Sequence, residues 1–263
     1  MSSALLSCAL LNCSSQQEVD AVENLVAIEP RRDLSLAREP LFARLGDTGN
    51  AGFEHLRAAF AARNPGYDLR WQPAARSISA RASATIAFVQ GGESAGSIGA
   101  LRSELRRGDL ALLRAGEELA LEGALDLLVF DVPEALPRAL PSFVRPDHDP
   151  RITDTPGGCA EELDAYRRIL LTWRAEVGPY VFRALNAHRV RIFDSFTHYH
   201  PPHGGFDEFY LVQGVRPGAK LITSSRTARI VEPDTVAEGE LETLLVEHEL
   251  AVGDLVYLPR GTI

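Results

Sequence analysis

Two histidines and a glutamate, His198, His200 and Glu208, have the residue types and spacing best suited to chemistry in this chain. Residues 190–200 form a strand-like run whose alternate side chains share a face, so the two imidazoles would stand beside each other at its end. A turn rich in proline and glycine separates this run from a second one, which begins at Glu208. If the two runs pair as a hairpin, the carboxylate approaches both histidines.

Two neutral imidazoles and one carboxylate form a donor set that suits Fe(II), and also Mn, Ni, Co or Zn. Such a set leaves coordination positions open for substrate, water or dioxygen, which catalysis at a metal requires. The alternative is that the three side chains are ordinary polar residues of an exposed hairpin. His203, in the turn, could replace a strand histidine, line the entrance to the site or be solvated, and we favour the entrance.

The remaining histidines have no comparable surroundings in the sequence, and each is expected to be an ordinary surface or core residue. They are His55, His148, His188 and His248.

The elements that must position the candidate residues begin with a segment of residues 1–66, in which one short helix is predicted from Gly52 to Arg63. Apolar residues three and four apart form one face of it, and Asn64-Pro65-Gly66 ends it. From residue 67 to residue 132 the pattern changes to short apolar or alternating runs between glycine turns, which is typical of a sandwich or small barrel. The predicted strands lie at Ile78 to Val89, Leu110 to Leu113 and Leu125 to Val132.

A proline-rich stretch, residues 133–158, is predicted to link this unit to a second one, because proline neither donates a sheet hydrogen bond nor continues a helix. The second unit, residues 159–263, should begin with a helix from Glu161 to Val177, whose apolar residues are three and four apart. The strand-like runs that follow are Val190 to His200, Phe209 to Val212, Lys220 to Thr223, Leu241 to Glu247 and Leu255 to Leu258.

The composition fits an ordinary folded protein, with 45% hydrophobic and 24% charged residues among 263. A net charge of -9, spread along the chain, disfavours nucleic acid and anionic membranes as partners. Lys220 is the only lysine, and we attribute the dominance of arginine to a GC-rich genome rather than to an arginine-built site. Three widely spaced cysteines, without metal or redox spacing, favour a reducing cytoplasm. No apolar run is long enough to cross a bilayer.

The second unit resembles the cupin superfamily, whose first motif is a His-x-His pair followed by a glutamate and a glycine, here His198-Tyr199-His200, Glu208 and Gly214. The second motif is a glycine, five residues, Pro-x-Gly, two residues and a histidine. The run from Gly253 to Ile263 matches it as far as the residue before the histidine. The chain departs from the family pattern in having Ile192 where glycine is frequent, and in a longer turn before Glu208.

This resemblance implies an all-β fold with a few helices, built as two double-stranded β-helix, or jelly-roll, barrels. The fourth metal ligand of the family would follow Ile263, so we expect the second barrel to be incomplete at its C-terminus and the sequence to be a fragment. The first barrel, residues 67–132, looks like a degenerate copy. Gly108 to Gly116 repeats the second motif with arginine in place of proline, Leu119 stands where its histidine should be, and no histidine lies between residues 55 and 148. A structural or dimer-forming role is expected for it.

Cupins include oxygenases, sugar isomerases and non-catalytic binders, so the resemblance leaves the reaction open. The leading hypothesis is an oxygenase in which Fe(II), or another divalent metal, acts on a small organic substrate held by Phe196, Tyr210 and Tyr257. Each of these aromatic residues could equally be barrel core. The alternatives are a sugar or sugar-phosphate isomerase, with Arg260 as the phosphate contact, and a non-catalytic binding protein or sensor. A homodimer is expected.

Overall fold

The computed structural model describes residues 4–9, 39–46, 50–155, 166–192, 204–226 and 236–262, together with positions 201, 229 and 234. Its helices are α1 (Ala51–Arg63), a 3-10 turn (Glu238–Glu240) and α2 (Leu241–Leu244). Its strands are β1 (Ala4–Ala9), β2 (Leu41–Arg44), β3 (Asp68–Ser79), β4 (Ala84–Gly91), β5 (Glu93–Ile98), β6 (Leu101–Arg106), β7 (Leu110–Arg114), β8 (Glu118–Val132), β9 (Phe143–Val144), β10 (Tyr166–Leu171), β11 (Ala187–Ile192), β12 (Glu208–Val215), β13 (Lys220–Thr223), β14 (Val246–Glu249) and β15 (Asp254–Leu258).

The N-terminal barrel is built on two long strands, β3 and β8, which pair with each other over most of their length. The strand order is β6-β5-β8-β4-β7-β9, with β3 also on β8, and all of these pairings are antiparallel. Alternate side chains point inward and form a closed apolar interior, as alternation along a strand requires. Its larger members are Ile78, Val89, Leu105, Leu113, Leu119 and Leu127.

The C-terminal barrel has a main sheet in the order β10-β11-β1-β12-β15-β2 and a separate hairpin of β13 and β14. Tyr210, Val212 and Val256 are buried on the inner face of the main sheet, and partly buried residues such as Val190 and Leu221 pack against them. Two strands from the start of the chain, β1 and β2, take part in this sheet. Sequence-distant strands therefore complete the wall on which Glu208 stands.

The two main sheets face each other across a shared core, which α1 enters from one side. Phe53, Leu56 and Phe60 are buried on the inner face of α1, and the Phe60 ring lies edge-on to the Phe209 ring, with 4.9 Å between centroids. The helix begins where the Asn50 side chain accepts a hydrogen bond from the backbone of Phe53, which caps its first turn. The predicted helix from Gly52 to Arg63 is confirmed, and so is the mostly β fold with few helices.

The helix predicted from Glu161 to Val177 is wrong over its described part, because residues 166–171 form β10. This strand pairs antiparallel with β11, so that Tyr166 lies opposite Arg191 and Ile169 opposite His188. An apolar spacing of three and four residues does not exclude a strand in so short a run, and here sheet pairing decides the outcome.

The strand predicted from Leu241 to Glu247 is also shorter than expected. Residues 241–244 form the helical turn α2, and strand β14 begins only at Val246.

Residues 133–155 form the connection between the barrels and contain a single short strand, β9. The prolines explain the scarcity of regular structure. The connection is nevertheless packed against the shared core, since Leu136, Leu140, Val144 and Ile152 are all buried there. The two barrels are thus held together by buried apolar surface as well as by the chain.

Candidate functional site

Glu208 is the first residue of β12 and points into the C-terminal barrel. Alternation along β12 places Glu208, Tyr210 and Val212 on the inner face, whereas Phe209 and Leu211 enter the core shared by the barrels. Only 1% of the Glu208 surface is exposed. A carboxylate with so little access to water requires cations or hydrogen-bond donors that compensate its charge.

His188, expected from the sequence to be an ordinary surface or core residue, lies on the same inner face. Cys8 of β1 pairs with His188 on one side and with Tyr210 on the other, which sets His188 two strands away from the Glu208 strand. The imidazole is buried, and its Nε2 atom has no hydrogen-bond partner among the described residues. Removal from water, the largest cause, and the positive charge of Arg167 together lower the pKa of His188 to about 3, and the charge of Glu208 opposes this shift.

A neutral imidazole retains one nitrogen with a lone pair and one N–H donor. Because the Nε2 atom of His188 is buried and unpartnered, this side chain can bind whatever occupies the barrel interior near Glu208. The sequence signal for His188 was the alternation along β11. His188 shares a face with Val190 and Ile192, which pack against the apolar interior.

Four residues of the predicted site, Phe196, His198, His200 and His203, lie outside the described residues. In the ranges that the structure does describe, no group of three or more histidine, cysteine, aspartate or glutamate side chains is arranged to hold a metal ion. Of the predicted pocket residues, Tyr210 is buried on the inner face beside Glu208. The described part of the site therefore consists of Glu208, Tyr210 and the newly found His188.

Tyr257, predicted for the substrate pocket, points away from Glu208. It is fully buried in the shared core, where its ring stacks on Phe209 with 5.0 Å between centroids, and its hydroxyl donates to Asp207 Oδ2 over 2.7 Å. Burial, and then the nearby charge of Asp207, raise the pKa of Tyr257. Tyr257 thus belongs to the packing between the barrels and does not line the barrel interior.

Arg260, predicted as a phosphate contact, is committed to other partners. Its Nε donates to Asp207 Oδ1 over 2.9 Å, and its Nη2 donates to Asn64 Oδ1 over 3.1 Å. Asn64 is the C-cap of α1, so this network fastens the turn after β15 to the end of the helix. The arginine side chain thus turns toward a buried carboxylate of its own chain.

The glycine turns of the two motif copies have the same structure. Gly108 and Gly253 both have positive φ, 93° and 92°, and the aspartate that follows each accepts a hydrogen bond from the backbone three residues before it. The turns that follow β7 and β15 also match, since Glu117 N donates to Arg114 O and Thr262 N donates to Pro259 O. This repeat, together with the two antiparallel barrels, agrees with the mostly β, two-barrel fold that the sequence motifs predicted.

No protein-family model matches this chain, and no curated protein does. Among solved structures, a putative glyoxylate-induced protein from Pseudomonas aeruginosa is similar, with 10% identity, 90% of this chain and 85% of that chain covered, and a TM-score of 0.46. A protein of unknown function of the DUF861 family from Pseudomonas syringae pv. tomato has 11% identity, 76% coverage of each chain and a TM-score of 0.40. A variant of salicylate 1,2-dioxygenase from Pseudoaminobacter salicylatoxidans has 13% identity, coverages of 95% and 90%, and a TM-score of 0.37. The function of this chain has to be argued from its own residues.

Proposed function

We propose that the C-terminal barrel binds a divalent metal through Glu208, His198 and His200, and that the protein is a metal-dependent enzyme that oxygenates a small organic substrate. The observation that carries the proposal is the inner face of β12 and β11. There a buried carboxylate and a neutral imidazole, whose Nε2 has no described partner, stand beside the apolar side chains of the barrel wall.

The donor chemistry fits a metal of the Fe(II), Mn, Ni, Co or Zn group, because carboxylate oxygen and imidazole nitrogen are the ligands these ions take. Such an ion would supply a Lewis acid and open positions for substrate and dioxygen. Glu208 would hold the metal from β12. Tyr210, Val212 and Val256 would form an apolar wall that limits the access of water to bound ligands.

His188 has a supporting part in this proposal. Its low pKa keeps the ring neutral at physiological pH, so it adds no second positive charge beside a metal ion. Through Nε2 it would hold one polar atom of the bound substrate and so orient it. Without such a partner, the buried nitrogen would remain unsatisfied, which costs about 1–3 kcal/mol.

The isomerase alternative loses its proposed phosphate contact, because the Arg260 guanidinium is engaged by Asp207 and Asn64. Arg167 is a basic side chain whose charge acts on His188, and it is the described arginine that a phosphate in the barrel interior could contact instead. In the part of the chain that the structure describes, no helix is long and apolar enough to cross a membrane. A small-molecule substrate, a homodimer and a cytoplasmic location stay predictions from the sequence.

The test is elemental analysis of the purified protein, in parallel with the variants His198→Ala and Glu208→Ala and the control Thr85→Val in the N-terminal barrel. Near-stoichiometric metal in the parent protein and the control, lost in both site variants, is the expected result. Finding iron would be followed by measurement of oxygen uptake with candidate organic substrates. Absence of metal after reconstitution with iron, manganese, nickel and zinc would overturn the proposal. Bound metal without turnover would indicate the binding protein or sensor instead.

A further inference from the structure

A pocket lies between the two barrels, apart from the interior of the C-terminal barrel. We propose that it binds a small organic dianion, a phosphate monoester or a dicarboxylate. Its volume is about 510 Å³, and we call it the inter-barrel pocket. It is lined by Arg107, Asp154, Tyr166, Arg168, Arg189, Arg191 and Gln213.

Strand alternation separates this pocket from the site around Glu208. On β11, His188 and Val190 face the barrel interior, so Arg189 and Arg191 face the opposite side of the sheet. The neighbouring strand β10 places Tyr166 directly opposite Arg191 and Arg168 opposite Arg189. Three guanidinium groups and a phenol thus share one patch of sheet on the outer side of the C-terminal barrel.

The N-terminal barrel closes the pocket from the other side through the turn between β6 and β7. Arg107 lies in this turn and reaches across to the C-terminal barrel, where its Nη1 donates to the backbone oxygen of Gln213 over 3.4 Å. Gln213 in turn donates from Nε2 to Gln90 Oε1 over 2.7 Å. A ligand in the inter-barrel pocket would therefore contact both barrels.

Positive charge exceeds negative charge in the inter-barrel pocket. Arg168 and Arg189 share the carboxylate of Asp147, and Arg168 also donates from Nε to Asp154 over 2.8 Å. Arg107 donates to two backbone oxygens, those of Gln90 and Gln213, and has no carboxylate partner in the described ranges. The pocket lining contains four arginines and one aspartate, although the chain as a whole carries a net charge of -9. A local excess of this sign attracts anions.

The arginines are held in fixed positions, which favours binding of a ligand of defined shape. The guanidinium carbons of Arg168 and Arg191 lie 5.1 Å and 5.0 Å from the centre of the Tyr166 ring, within cation–π distance. Arg189 Nη2 donates to the Tyr166 hydroxyl over 3.0 Å. Side chains that are already ordered lose little entropy when a ligand binds.

The chemistry of guanidinium selects the class of ligand. Its planar set of donors matches the oxygens of a carboxylate or a phosphate, which it binds with two parallel hydrogen bonds. Several arginines around one cavity favour a ligand with two negative charges over a monoanion. The volume of about 510 Å³ lies in the usual range for organic small-molecule pockets, so the dianionic group is expected to carry an organic body.

The test is isothermal titration calorimetry at constant ionic strength with two probes, glycerol 3-phosphate and malonate. The variant Arg107→Gln removes a charge that no described carboxylate neutralises, and the control Arg102→Gln removes an exposed arginine that pairs with Glu122 on the N-terminal barrel. We expect saturable binding of at least one probe, about tenfold or more weaker in Arg107→Gln and unchanged in Arg102→Gln. Thermal unfolding of each variant checks that it is folded.

The probe that binds identifies the ligand as a phosphate monoester or a dicarboxylate. Binding of neither probe, or equal weakening in both variants, would overturn the proposal, because nonspecific charge attraction would then suffice. Glu208→Ala should retain probe binding, and Arg107→Gln should retain metal. The inter-barrel pocket and the metal centre can therefore fail independently.

Discussion

The two barrels carry different polar groups at the same place in their walls. Thr85 pairs with Leu113 of β7, and Glu208 pairs with Leu258 of β15; both partners lie five residues after the first glycine of their motif copy. Two strands farther along each sheet, Arg70 in the first barrel occupies the place of His188 in the second. In the first barrel, Val129 lies between Arg70 and Ala87 and pairs with both. In the second barrel, Cys8 lies between His188 and Tyr210 in the same way.

In the N-terminal barrel these polar groups bind one another. Arg70 donates to both oxygens of Asp131, over 2.7 Å and 2.9 Å, and the hydroxyl of Thr85 donates to Asp131 Oδ1 over 2.6 Å. All three residues are buried. In the C-terminal barrel the corresponding imidazole keeps a buried nitrogen without a described partner. A closed polar network can only stabilise its barrel, whereas an open one can bind a ligand.

The largest expected effect is on the closed network. Arg70→Leu would leave the Asp131 carboxylate buried without its cation, and we expect a loss of about 3–5 kcal/mol in the free energy of unfolding. Urea denaturation measures it. The metal content of the folded variant should equal that of the parent protein. A loss below about 1 kcal/mol would mean that the pair contributes no more than an exposed ion pair does, and the contrast between the barrels would weaken.

The second prediction concerns the metal. Glu208→Gln keeps the size of the side chain but removes its charge, and we expect metal affinity to fall by about 100-fold or more, beyond the range for residues that only support a ligand. Competition with a chromogenic chelator measures it. The matched control is Thr85→Val, at the equivalent place of the first barrel. If both variants bound metal as the parent does, Glu208 would not be a ligand.

The third prediction compares His188→Leu with Arg70→Leu, which change equivalent positions. Replacing a buried imidazole whose Nε2 has no described partner by an apolar side chain should leave the metal-free protein as stable as the parent, or raise its stability by about 1 kcal/mol. Substrate binding should weaken while metal content persists, a separation that a purely structural role would not produce. A loss of several kcal/mol in the metal-free protein would show that His188 is part of a closed network too.

Much of the fold follows from residue patterns that are local. The helix from Ala51 to Arg63 is predictable because its apolar face and its stop signal agree. Strand β13 has the same bounds, Lys220 to Thr223, as the strand predicted from the sequence. β10 is not predictable in this way, because only its pairing with β11 distinguishes a short strand from a helix. The positions of β1 and β2 in the C-terminal sheet depend on contacts between residues far apart in the sequence.

The candidate site divides in the same manner. Alternation along one strand predicts that Glu208 and Tyr210 share a face. In the structure both residues lie on β12, two positions apart, and Tyr210 packs in the barrel interior. The exclusion of Tyr257 required the register between β12 and β15, which pairs Tyr257 with Phe209 on the outward face. His188 was missed because it stands among charged residues in the sequence. Its position two residues before Val190, which puts both side chains on one face of a strand, was the signal that could have indicated it. The arginines of the inter-barrel pocket look like a bias of composition until β10 and β11 are paired.

The last prediction concerns Asp147, which joins the two barrels by binding Arg106 from the first and Arg168 and Arg189 from the second. Its hydrogen bond with Arg189, opposed by burial and aided by the arginine charges, lowers the pKa of Asp147 to about 2. A carboxyl whose pKa is lower in the folded protein stabilises it above the pKa of the unfolded chain, and this stability is lost as the pH falls toward 2.

The side chain of Asp147 is 29% exposed, so solvent screening reduces the effect, and we expect a contribution of about 1–2 kcal/mol. Urea denaturation of the parent and of Asp147→Asn should therefore differ by this amount at pH 5 and converge near pH 2. A constant difference over this range would mean that the ion pairs between the barrels add nothing to stability. In that case the shared apolar core alone would hold the N-terminal barrel, with its closed polar network, and the C-terminal barrel together.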